Sequence, residues 1–301
     1  MSVVLPYSDK TTDISKSKKR KEVAEVTKST LTEEEKWYFD LHGFLVLKGI
    51  VTSESLKQML NIIQNWLKMD ESDLPPPVTR GRQEPCKTHI NNIQYGHRIF
   101  QDLAMDTNIL RVVAGLTMHS PRLFHYNFTM MTKDDQAKGS FHRDDSGFKF
   151  PPDFRNPHND YQAGNGKIYC SHIATWVTLA DVPANTGFCV VPGSHKSSFQ
   201  TPENLPVKHD PPTSITIPLQ AGDVIVFSTN LLHDASPWTE DYPRMNIFQR
   251  YQLSVYFNET GKEGYPLEEY RNQISDEQYE LESLSKEEKV AVYQALLGSS
   301  T

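Results

Sequence analysis

Gly139-Ser140-Phe141-His142-Arg143-Asp144-Asp145 is the stretch on which the reading of this chain turns. In an extended segment, side chains two positions apart leave the same face. His142 and Asp144 then offer an imidazole nitrogen and a carboxylate oxygen to one point, and Asp145 faces away. The triplet alone proves little in a chain with 11 histidines and 38 acidic residues. Its weight depends on whether the rest of the sequence supplies a scaffold of strands, a second histidine and a partner cation.

Outward from the triplet the texture is that of strands. Arg122 to Thr132 is β-branched, aromatic and thioether-rich. Ile168 to Leu179 predicts a strand with Trp176 and Thr178 on one face. Phe188–Val191, Ile215–Leu219, Val224–Ser228 and Met245–Phe257 predict four more. The turns Asn185-Thr186-Gly187, Pro192-Gly193-Ser194-His195 and Gln220-Ala221-Gly222-Asp223 separate them. Short strands with regular turn signals predict a mainly β sandwich or barrel such as a jelly roll. Residues 149–167 are rich in Pro, Gly, Asn and Asp and predict a long loop, a candidate lid.

Both flanks read differently. Residues 1–28, with Lys16, Lys18, Lys19, Arg20 and Lys21, predict a disordered polar tail. Residues 29–301 predict one domain: a helical layer over about 29–120, a strand-rich core over about 121–258, and C-terminal helices over about 266–298. Thr32 and Glu35 form a capping box ahead of a helix that stops at Gly43. Phe44–Leu47 is a short strand, and Ser53 is placed to cap a second helix with an apolar stripe at Leu56, Met59, Leu60, Ile63 and Leu67. Asp70 to Lys87 predicts a loop, followed by an extended Thr88–Gln94 and helices at Phe100–Ala104 and Ile109–Leu116. Ser275 with Gln278 and Ser285 with Glu288 predict two further capped helices.

Composition excludes several classes. The net charge is −7 and no basic face is evident, so no nucleic-acid partner is expected. No apolar run approaches the roughly 20 residues of a membrane span, and the N-terminus lacks the pattern of a secretory signal. Cys86, Cys170 and Cys189 are odd in number and widely spaced, which predicts reduced thiols and a cytoplasmic protein.

The remaining pieces of a site follow downstream. His233 comes just after the strand Val224–Ser228, and Arg244 opens the last long strand. Two histidines and one carboxylate on one face suit Fe(II) and leave the opposite face open. An oxo acid such as 2-oxoglutarate can chelate there, O2 takes the last position, and the distal carboxylate needs a bidentate donor, for which Arg244 is the candidate. His125 and His172 also lie on predicted strands, but neither has a carboxylate two residues away. The turn histidine, His195, reads as structural.

Residues from about 40 to 257 resemble the phytanoyl-CoA dioxygenase family of Fe(II)/2-oxoglutarate oxygenases. The resemblance is carried by Gly43-Phe44-Leu45-Val46-Leu47, His142-Arg143-Asp144, Ala174-Thr175-Trp176-Val177, Gly187 through Lys196, Ala221-Gly222-Asp223-Val224, and His233 with Arg244. It implies a double-stranded β-helix, a cupin-like jelly roll with flanking helices. It also implies iron on His142, Asp144 and His233, and 2-oxoglutarate on Arg244 beside Trp176, with Thr178 sharing that face. The chain departs from the family in lacking the usual Asn shortly after the distal histidine, where it has His233-Asp234-Ala235-Ser236, and in its longer 149–167 segment.

The function expected is oxidation of an unactivated C–H bond of a small molecule by hydroxylation, desaturation or ring closure. The alternatives are an acyl-CoA α-hydroxylase and a non-catalytic binding module. Asp144 argues against halogenation, for which related enzymes drop the carboxylate. Arg80, Arg82, Lys87, His89, Asn91, Tyr126, Asn127 and Arg250 are candidates to line the substrate space, and their cations suggest a carboxylate-bearing substrate.

Overall fold

The computed structural model describes residues 31–117, 121–133, 141–144, 160–199, 213–253 and 266–283. The tail 1–28, Gly139, Ser140 and Asp145, the first part of the 149–167 segment, the end of the strand after Leu253 and the Ser285–Glu288 box all lie outside these residues. Twelve strands are named in chain order. They are β1 (Phe44–Leu47), β2 (Thr79–Glu84), β3 (Lys87–Asn91), β4 (Pro121–Met131), β5 (Tyr161–Gly164), β6 (Lys167–Cys170), β7 (His172–Thr178), β8 (Gly187–Val190), β9 (Ile215–Thr216), β10 (Val224–Ser228), β11 (His233–Ser236) and β12 (Arg244–Leu253). The helices are α1 (Glu33–His42), α2 (Ser53–Lys68), α3 (Ile93–Gly96), α4 (Arg98–Ala104), α5 (Thr107–Leu116) and α6 (Asp276–Glu282).

An antiparallel seven-stranded sheet runs β1-β10-β7-β12-β4-β3-β2, and a three-stranded sheet runs β11-β8-β9. The small sheet packs on one face of the large one through Phe188 of β8, whose ring lies 4.9 Å from Trp176 and 4.8 Å from Phe227. Burying a phenylalanine this fully stabilises the fold by about 1.5–3 kcal/mol. This is the jelly roll expected from the strand pattern, with helices against the other face of the large sheet.

Period two then decides which residues share the inner face. In β12 these are Arg244, Asn246, Phe248 and Arg250. Across the ladder they align with Met131, Thr129, Asn127 and His125 of β4, and with Thr178, Trp176 and Ala174 of β7. Beyond β4, β3 adds Lys87, His89 and Asn91. The opposite face carries Ile90, Tyr126, Phe128, Val177 and Ile247, all buried.

The caps explain the helix boundaries. The Thr32 hydroxyl accepts from the Glu35 amide at 3.1 Å and the Glu35 carboxylate accepts from the Thr32 amide at 2.8 Å. Gly43 ends α1 in the left-handed region at φ 83°, where an added Cβ would sit 2.5 Å from the His195 ring. The second helix is capped by Thr52, not Ser53, because the Thr52 hydroxyl is the one that accepts from the Ser55 amide.

Four expectations are corrected. The stretch from Asp70 to Lys87, expected as a loop, contains β2, which joins the expected strand at Phe44–Leu47 and the extended segment at Lys87–Asn91 in the main sheet. The end of the 149–167 segment is a hairpin, β5–β6, turning at Asn165 and Gly166 with φ 52° and 71°. The single strand expected over 168–179 is broken at Ser171, whose amide and hydroxyl both bond Asp160 at 3.0 Å. The strand expected over Ile215–Leu219 is only Ile215–Thr216, with an isolated bridge from Leu219 to Val182. Among the described residues no helix is long and apolar enough to cross a membrane, and the three cysteines are unpaired.

Candidate metal and co-substrate site

His142 and His233 face each other across an isolated antiparallel bridge, each amide donating to the other's carbonyl at 3.0 Å. The Asp144 amide donates to the Thr229 carbonyl at 2.9 Å. One ligand atom from each of His142, Asp144 and His233 lies within 4.8 Å of the others, close enough for a single ion to touch all three. His142 is exposed, Asp144 half-buried and His233 buried. The Nδ1–H of His233 donates to the Leu231 carbonyl at 2.7 Å, so Nε2 is the nitrogen turned toward Asp144 with its lone pair. Burial pushes the His233 imidazole pKa down, against the pull of the Leu231 carbonyl, which favours the neutral form.

The residue between the two ligands was missed in the sequence. Arg143 points away from the cluster, donating from Nε to the Asn230 carbonyl at 3.1 Å and from Nη2 to the Ser194 carbonyl at 3.3 Å. It fastens the His142-Arg143-Asp144 segment to the Pro192-Gly193-Ser194-His195 turn. The only signal was the period-two rule, which turns position 143 to the far face without naming its partner.

Arg244 lies fully inside the protein at 3% exposure. Its guanidinium stands over the Trp176 ring at 4.9 Å and makes one weak contact, from Nη2 to the Met131 sulfur at 3.5 Å. Nε and Nη1 have no hydrogen-bond partner among the described residues. Burial lowers its pKa from the ordinary 12.5 to about 10, with Asp234 pulling the other way. A buried, unpaired cation is costly, and it fits a carboxylate brought in by a ligand. The Trp176 indole N–H is also buried and unpartnered among the described residues. Thr178 shares that face but donates its hydroxyl proton to the Ala180 carbonyl at 2.7 Å.

The substrate candidates divide. Lys87, His89, Asn91 and Asn127 all stand on the inner face. Burial, together with nearby Arg244, lowers the Lys87 pKa. His89 Nδ1 takes the Thr129 hydroxyl at 3.1 Å and faces the Asn127 amide at 3.5 Å; burial, then Lys87, lowers its pKa. Tyr126 does not belong with them: it lies on the opposite face and its hydroxyl donates to the Phe100 carbonyl at 3.0 Å. Arg80 is committed to the end of α2, donating to the Trp66 and Leu67 carbonyls at 3.2 and 3.3 Å and to Met69 at 2.5 Å. Arg82 is an exposed partner of Glu84. Arg250 bonds Asp144 itself, Nη2 to Oδ2 at 2.7 Å. His125 and His172 stay outside the three-residue cluster; His172 Nε2 faces Gln252 at 3.2 Å.

Two imidazoles and a carboxylate within reach of a single ion, together with a buried arginine on the inner face of the same jelly roll, form a candidate metal and co-substrate site. The family profile described as phytanoyl-CoA dioxygenase (PhyH) matches residues 39–246. The chain belongs to this family, which is a family of oxygenases. Among solved structures it is similar to HygX from Streptomyces hygroscopicus with nickel and 2-oxoglutarate bound, at 23% identity and TM-score 0.62 over 75% of this chain and 89% of that one. A second structure of HygX holds nickel, 2-oxoglutarate and hygromycin B, at 24% identity and TM-score 0.61 over the same shares of the chains. The epimerase SnoN, in complex with Fe3+, alpha ketoglutarate and nogalamycin RO, is 17% identical with TM-score 0.53, over 83% of this chain and 94% of that one. Comparison with curated proteins finds no match at the sequence level.

Proposed function

We propose that this chain is an Fe(II)/2-oxoglutarate-dependent dioxygenase that oxidises an unactivated C–H bond of a polar small molecule. The observation that carries the proposal is Arg244, a buried guanidinium with two nitrogens unpaired among the described residues, on the same inner face as Trp176. An anionic co-substrate is what such a group lacks.

His142, Asp144 and His233 would hold the iron, a donor set suited to Fe(II). When bound, iron with 2-oxoglutarate and O2 supplies the oxidising power, the oxo acid leaving as succinate and CO2. The chain's own residues set the stage. Arg244 pairs with the distal carboxylate, and Trp176 covers its guanidinium and excludes water. Phe188 and Phe227 stand 5.9 and 5.1 Å from the His233 ring and keep that side dry. His89, Asn91 and Asn127 offer a polar wall to the substrate.

That polar wall favours a free, oxygen-rich molecule over a fatty acyl-CoA. HygX with hygromycin B and SnoN with nogalamycin RO are solved relatives that hold such molecules. Of the cations that suggested a carboxylate-bearing substrate, Arg80, Arg82 and Arg250 are engaged within the protein, and Lys87 stands on the inner face where it would meet such a group. Tailoring of a secondary metabolite, by hydroxylation, desaturation or ring closure, is the reading that remains.

The test is succinate formation from 2-oxoglutarate with Fe(II) and ascorbate, alone and with candidate polyols and glycosides. Absence of succinate together with absence of 2-oxoglutarate binding overturns the proposal.

A further inference from the structure

Arg250 reaches the metal cluster from the large sheet. It sits on β12 between Ala174 of β7 and His125 of β4, and the β12–β4 register shifts between Arg250 and Tyr251. Such bulges re-aim side chains next to sites. Its guanidinium rests 5.0 Å from the centre of the Phe248 ring and donates to Asp144 Oδ2 at 2.7 Å. The Asp144 segment is tied by the His142–His233 bridge and the Asp144 amide, and around the carboxylate His142 Nε2 lies 3.9 Å from Oδ1 and His233 Nε2 3.9 Å from Oδ2, so among the described residues its one hydrogen bond is the one from Arg250.

We propose that Arg250 is a positioning residue for the iron-binding carboxylate. By occupying Oδ2 it stops rotation of the Asp144 carboxylate and leaves Oδ1 as the single donor atom to the metal. One oxygen from Asp144 and one nitrogen from each histidine make three protein ligands, which keeps the remaining positions open for a two-point chelate and O2. A carboxylate free to bind through both oxygens would take one of those positions. The charge-assisted bond also withdraws electron density from Asp144, tuning it as a ligand. The inference rests on the proposed metal centre and concerns Arg250, which the sequence suggested as a substrate contact.

The experiment compares wild type, Arg250→Met and Arg250→Lys, each checked for folding by thermal melting. Each is loaded anaerobically with Fe(II) and 2-oxoglutarate, and the metal-to-ligand charge-transfer band is recorded. Without the Arg250 bond the carboxylate donates more strongly, raises the energy of the iron electrons and moves the band of Arg250→Met to longer wavelength. Succinate formation falls by about 10–100-fold, the range for lost outer partners of metal ligands. Arg250→Lys, which keeps a cationic donor, returns both toward wild type. A band in Arg250→Met at the wild-type position, with wild-type succinate formation or with only a raised substrate KM, overturns the role proposed for Arg250. A wild-type protein that shows no band at all overturns the metal-centre reading instead.

Discussion

The backbones of His142 and His233 exchange two hydrogen bonds of 3.0 Å, and their ring centres lie 4.5 Å apart. Two proposed ligands 91 positions apart in the chain are thus placed by main-chain pairing alone. The side chains can be changed without removing that pairing. Asp144→Ala is therefore expected to keep the thermal melt of the metal-free protein within a few degrees while abolishing Fe(II)-dependent succinate formation. Chelation of the wild type should reproduce the loss, and added Fe(II) should reverse it. Retained turnover in Asp144→Ala would sink the ligand assignment.

Arg244→Met tests the co-substrate pocket. The guanidinium has no hydrogen-bond partner for Nε or Nη1 among the described residues, so an apolar side chain of similar length removes a buried charge rather than a pair. The metal-free protein should be as stable as wild type or more so. The KM for 2-oxoglutarate should rise by roughly 100-fold, as loss of a buried charge-assisted contact costs about 2–5 kcal/mol. Unchanged KM would remove Arg244 from the site.

The two sheet faces separate by mutation. Tyr126→Phe loses a buried bond to the Phe100 carbonyl and should cost about 1 kcal/mol of stability with no kinetic effect. Asn127→Ala, one position along on the inner face, should raise the substrate KM and leave uncoupled 2-oxoglutarate turnover near wild type. The opposite pattern would reverse the assignment of faces.

Two contributions of opposite sign should set how stability depends on pH. Burial holds His125, His195 and His233 down at about 4, below the ordinary 6.5. The unfolded chain binds more protons between these values, so stability is present above about 6.5 and is lost as pH falls toward 4, by up to about 3 kcal/mol per group. Burial pushes Glu282 up to about 7, although Tyr95, Gln278 and Gln94 donate to it at 2.6, 2.8 and 3.4 Å. Its sign is the reverse: the contribution is present below about 4.5 and is lost as pH rises through 7. Because three histidines outweigh one carboxyl in the shared window, chemical denaturation of the metal-free protein should show stability rising from about pH 4 to a plateau near 7, and Glu282→Gln should steepen that rise between about 4.5 and 7. An unchanged slope between these pH values in Glu282→Gln would refute the assignment.

What the sequence by itself determined is local or nearly so. The Thr32–Glu35 box, the stop at Gly43 and the spacing of His142 with Asp144 each depend on residues within a turn or a strand step. The family motifs then linked these to His233 and Arg244. What only the tertiary structure decided is who meets whom across the sheet. Arg250 and Asp144 are 106 positions apart, and their bond depends on register and on a bulge. Tyr126 and Asn127 are both buried because β4 is covered on both faces, so burial does not alternate along it and the pattern cannot tell pocket from core. Arg80 looked available because its partners are the main-chain carbonyls at the end of α2, which carry no residue identity to read.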